Sequence, residues 1–120
     1  VSLVTADGDG LEIRDLVRIL NGNVGPTLVQ TMTGTKDHGL PAKWATADGP
    51  MPGSTAVEQL RLGYRVWHLL SEAEGRNVAL AWLVGANHRL GATPVSAVRD
   101  LRSAEVIGAA RAFIDGSAPA

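Results

Sequence analysis

The sequence predicts an all-α fold of about seven helices. Three observations predict it. Apolar residues recur at alternating spacings of three and four along most of the chain, as on the inward stripe of a helix. Strand-like alternation of apolar and polar residues is hard to find anywhere. Large aromatics are scarce, with three Trp, one Tyr and one Phe, so the core has to be built from Ala, Val, Leu and Ile. Ala-rich cores suit helices that approach closely. Hydrophobic residues make up 45% and charged residues 19%, the balance of a folded globular chain and not of a disordered one. The length suits one domain, or two small subdomains sharing a core.

Residues 1–10 are rich in Gly and Asp and are expected to be disordered. From Leu11 to Leu20, Ile13, Leu16, Val17 and Leu20 recur at helical spacing, and Asn21-Gly22-Asn23 should end that helix. Pro26 opens a second helix with Leu28, Val29 and Met32 as its apolar positions and Gly34 as its stop. Thr35 to His38 forms a polar connection. A third helix should run from Gly39 to Thr46, with Pro41 tolerable because it sits in the first turn. Neither helix nor strand survives the run Asp48-Gly49-Pro50-Met51-Pro52-Gly53.

Ser54 is then expected to cap the longest helix, Thr55 to Ser71, whose stripe is Val57, Leu60, Tyr64, Trp67 and Leu70. Gly75 interrupts. Asn77 to Val84 reads as a helix with Val78, Ala79, Trp82 and Leu83 facing inward. Pro94 to Leu101 makes another. Ser103 should cap the last, with Val106, Ile107, Ala110, Phe113 and Ile114 on one face. The organisation expected is a helix-turn-helix part over 11–53, a long helix with a C-terminal helical domain over 54–116, and a mobile tail over 117–120.

Several chemistries find no support in the residues. There is no cysteine, which excludes disulfides, thiolate metal sites and cysteine nucleophiles and agrees with a cytoplasmic location. Asp7, Asp9 and Glu12, without a basic segment, do not read as a secretory signal. The longest apolar run, Val78 to Ala86, is too short to cross a bilayer, so no membrane role is expected. His38, His68 and His88 lie far apart and form no metal-ligand spacing, so no metal is expected. No nucleophile elbow and no phosphate loop is present, so neither enzymatic activity nor a cofactor is expected. Arg61, Arg65 and His68 fall on one side of the long helix, as a solvated basic face or a strip for a partner. A net charge of −1 gives no broad footprint for nucleic acid.

The stretch Trp82 to Pro94 carries the most information. It ends one helix and starts another within a few residues. Gly85 and Asn87 are residues that tolerate the left-handed conformation that closes a helix. Thr93 can cap the next helix, and Pro94 in its first turn forfeits no hydrogen bond. Leu90 is the one large apolar side chain in the connection and should plug the corner.

The pattern W-L-(x)3-N-(x)2-L-G-x-T-P over Trp82–Pro94 resembles the signature of the Xre/MbcA/ParS-type antitoxin family, in its C-terminal toxin-binding domain. Further upstream, Thr33-Gly34-Thr35-Lys36-Asp37-His38, then Trp44, Gly49 and Pro52, resembles the Cro/Xre helix-turn-helix. The resemblance implies an antitoxin of a type II toxin–antitoxin system whose partner is a RES-domain toxin acting on NAD. It further implies a homodimer and binding of the operon's own promoter DNA. Lys36, His38 and Lys43 would then face DNA, unless the helix-turn-helix is degenerate and only supports dimer formation. Asn87, His88, Arg89 and Arg111, with the tail after Asp115, would contact the toxin. The N-terminal helices and the Tyr64/Trp67 stripe are expected to offer more apolar surface than a thin layer of short helices can cover, which would favour the dimer. Two other readings stay open: a DNA-binding regulator of phage or mobile-element type with no toxin, and a helical protein-interaction scaffold. The chain departs from the family pattern in two places. Its step from Leu90 to Pro94 is slightly shorter, and Leu101-Arg102 stands where the family tends to place a Gly.

Overall fold

The structure is a computed structural model that describes residues 10–116. The expected disordered N-terminus and mobile tail fall largely on residues outside that range. Seven helices follow one another: α1 (Ile13–Asn23), α2 (Pro26–Thr33), α3 (Leu40–Trp44), α4 (Ser54–Glu74), α5 (Arg76–Val84), α6 (Pro94–Arg99) and α7 (Ser103–Ile114). Among the described residues there is no strand, only an isolated antiparallel bridge between Asn87 and Ala92. No helix among them is long and apolar enough to cross a membrane.

The helix α4 is the spine. Helices α1 and α2 pack on it from one half of the chain and α5, α6 and α7 from the other. One apolar cluster runs through both halves, from Ile13, Leu16 and Leu20 through Leu60, Val66 and Leu70 to Leu83, Val98 and Val106. Helices α2 and α6 also touch directly. Gly63 on α4 makes the crossing with α2 possible, since a Cβ there would stand 2.5 Å from the Met32 sulfur. The stripe expected on α4 is real: Leu60, Tyr64, Trp67 and Leu70 are buried and Val57 is half-buried. Because Tyr64 and Trp67 are covered within the chain, they offer no uncovered surface to a second copy. Burial, and to a lesser degree Glu72, pushes the Tyr64 phenol above its ordinary pKa.

Several boundaries differ from the sequence reading. Asn21-Gly22-Asn23 does not break α1; it forms its last turn, and the chain leaves only at Val24 and Gly25. An isolated Gly weakens a helix but does not stop one that is packed on both sides. Helix α3 is shorter than expected, five residues in place of the predicted span from Gly39 to Thr46. Ser54 and Ser103 are first-turn residues and not caps, because Gly53 and Arg102 hold the cap positions. On α5, Ala79, Trp82 and Leu83 face inward as expected, but Val78 is 41% exposed.

Candidate functional site

The connection between α5 and α6 is built by its own side chains. Gly85 does not adopt the left-handed conformation; its φ of −82° and ψ of 158° are extended. Asn87 takes no positive φ either and works differently. Its side chain is buried at 6% exposure, and its Oδ1 accepts from the Leu90 backbone N–H at 3.1 Å. Its carbonyl accepts from the Gly91 N–H at 2.9 Å, and Gly91 supplies the positive φ, 66°, that closes the turn. Leu90 is 6% exposed and plugs the corner as expected. Thr93 Oγ1 accepts from the Ser96 N–H at 3.3 Å and caps α6, with Pro94 in the first turn.

A second anchor comes from beyond α6. The Arg102 guanidinium donates to the Leu90 carbonyl at 3.0 Å and to Glu105 Oε2 at 2.5 Å. It ties the corner to the first turn of α7. The hydrogen bond and charge of Glu105 raise the Arg102 pKa, and the same contact holds the Glu105 carboxyl below its usual range. Sequence spacing gave no sign of this anchor, because its acceptor is a backbone carbonyl twelve residues away.

With the corner held from inside, its outer face is free. His88 and Arg89 are exposed, and among the described residues no hydrogen bond or ion pair engages either. Ala86, Asn87, His88, Gly91, Ala92 and Thr93 line an open hollow of about 430 Å³. Arg111 is exposed on α7. Of the four residues expected to meet a toxin, three stand on the surface. The fourth, Asn87, is buried and shapes the loop that presents its neighbours.

The segment from α1 to α3 presents less. Lys36 is exposed in the turn after α2. The His38 ring Nδ1 lies 2.9 Å from Gln30 Oε1. Lys43 pairs with Asp37 at 3.3 Å. The Asp37 carboxyl is held below its ordinary pKa, first by the Gly39 backbone N–H and then by Lys43. Trp44 is buried at 4% exposure and anchors α3. The arginines of α1 reach the end of α3 and the loop after it, Arg14 half-buried and Arg18 exposed. Arg14 donates to the carbonyls of Trp44, Thr46 and Gly49, and Arg18 to that of Ala45 at 2.7 Å. Gly49 is required there, because a Cβ would collide with the Lys43 carbonyl and the Thr46 hydroxyl.

The basic strip of α4 is likewise engaged. Arg61 donates to the Leu11 carbonyl at 3.1 Å, and the His68 ring stacks on Tyr64 with centroids 5.6 Å apart and lies 3.8 Å from Glu72. Arg65 alone of the three is exposed. Among the described residues no group of three His, Asp or Glu side chains gathers where a metal ion could sit. Comparison with family models, curated proteins and solved structures returns no match.

Proposed function

We propose that this protein is the antitoxin of a type II toxin–antitoxin pair, binding and occluding a RES-domain toxin that consumes NAD and performing no chemistry itself. One observation carries the reading. The corner between α5 and α6 is fixed from within by Asn87, Leu90 and Arg102, while His88 and Arg89 are exposed on it with no hydrogen bond or ion pair among the described residues. A loop already held in one shape loses little conformational freedom on binding. That is the property of a surface made to dock on another protein. The corner is also where the residue pattern resembles the toxin-binding domain of the antitoxin family.

Promoter binding is the secondary part of the proposal, with a cytoplasmic setting. Its support is narrower, because Arg14, Arg18 and Lys43 already bond to groups of the chain and Lys36 alone of the segment's Lys and Arg side chains has no such partner among the described residues. The same inventory disfavours a regulator that acts on DNA alone, whose affinity rests on cations free to meet phosphates.

Growth rescue tests the reading. A RES-domain protein encoded beside this gene is co-expressed with the native chain, with Arg89→Glu, and with a chain truncated after Phe113. The native chain is expected to restore growth and the two variants to fail. A folded Arg89→Glu chain that rescues as well as the native one removes Arg89 as a contact. A neighbouring gene product that is neither toxic nor bound removes the antitoxin reading.

A further inference from the structure

The Arg89 side chain does not simply hang in solvent. It reaches across to α7, where a Cβ placed at Gly108 would lie 3.9 Å from Arg89 Nη2. Arg111 follows Gly108 by three residues, so both project from one side of that helix. Two acids of the α6–α7 region are already paired. Asp100 pairs with Arg99 at 3.3 Å and Glu105 with Arg102 at 2.5 Å. Asp115 is exposed at the end of α7, and no ion pair joins it to Arg111. Arg89 and Arg111, from different elements, thus both lie along the stretch of α7 around Gly108, and among the described residues no ion pair engages either.

We propose that Arg89 and Arg111, brought to one side of α7 across Gly108, form a single cationic docking surface for a carboxylate-rich protein segment. The proposal deepens the antitoxin reading and rests on it for the identity of the partner. A guanidinium presents two parallel N–H donors that match a carboxylate. Gly108 leaves no side chain to stand between the corner and the helix. Nucleic acid fits the surface less well: two cations make few phosphate contacts, and a chain of net charge −1 adds no wider field.

The test is a nuclear magnetic resonance titration of the full chain with a polyglutamate decapeptide at low salt, which needs no toxin. Shifts are expected at the Arg89 and Arg111 Nε–H groups and at the backbone amides of 86–91 and 105–112, and should fade as salt screens the contact. The charge-reversed pair Arg89→Glu with Arg111→Glu, checked for a dispersed spectrum, should bind about tenfold more weakly. Arg89→Lys with Arg111→Lys, which keeps charge but loses the fork, should fall between. Three results overturn the proposal: shifts spread over the chain or centred on Lys36 and Arg65, unchanged affinity in the charge-reversed pair, or a short DNA duplex that displaces the peptide from both arginines. Failure here with successful growth rescue removes the cationic surface and leaves the antitoxin. Binding here with failed rescue does the reverse.

Discussion

Leu101 has a φ of 55°, the only positive value among the described non-glycine residues. Its N–H donates to the Val98 carbonyl at 3.0 Å, and the Arg102 N–H to the Ala97 carbonyl at 2.9 Å, the paired bonds of a Schellman cap that usually places Gly at this position. The departure noted in the sequence is therefore one of side chain and not of backbone shape. A left-handed Leu costs about 1–2 kcal/mol, and burying part of its side chain against the core offsets a similar amount. Leu101→Gly is expected to change stability by under about 1 kcal/mol as the two effects cancel. Trp82 is the contrast, at 4% exposure with its ring centroid 6.3 Å from that of Phe113. Trp82→Ala should cost roughly 3–5 kcal/mol. Urea denaturation of both variants checks the pair. A Leu101→Gly loss as large as that of Trp82→Ala would mean that the Leu101 side chain, and not its backbone, closes α6.

At the scale of elements, the existence and order of the helices were legible and their ends less so. Periodicity reports which face is buried, and it located the α4 stripe and, apart from the exposed Val78, the inward side of α5. Ends depend on which backbone groups find partners, and residue type alone does not settle that. Ser54 and Ser103 look like caps, yet the chain turns into its helix one residue earlier. Asn87 was legible as a turn residue, but its role as a buried acceptor was not. The clamps by Arg14, Arg18 and Arg102 were invisible, since a distant carbonyl leaves no mark in residue spacing. Two of the acids at element ends make stability depend on pH. Asp37 and Glu105 both have pKa values lowered by folding. Each contributes stability that is fully present above the unfolded carboxylate pKa and is lost as pH falls through the lowered folded value. Melting temperature should therefore drop at acid pH, modestly because both groups are exposed. Asp37→Asn with Glu105→Gln should flatten that acid limb. An unchanged limb in the double variant would assign it to other carboxylates.

For the whole molecule, α4 joins both halves into one core, so helices α1 to α3 and the C-terminal helices should unfold together. The homodimer that the family resemblance implies cannot draw on Tyr64 and Trp67, which are covered within the chain. The exposed large apolar side chains among the described residues are Met51, Val78 and Val84, and any contact between copies has to use surface of that kind or the polar helix faces. Sedimentation at tens of micromolar should report twice the mass of one chain; a constant single-chain mass removes the dimer. The face proposed to meet the toxin is the α5–α6 corner with the adjoining side of α7. Amide hydrogen exchange of the chain, alone and mixed with the RES-domain protein, tests it most directly. New protection is expected over 86–91 and along 105–112, with α1 to α3 unchanged. Protection confined to α1–α3, or none at all, would contradict it.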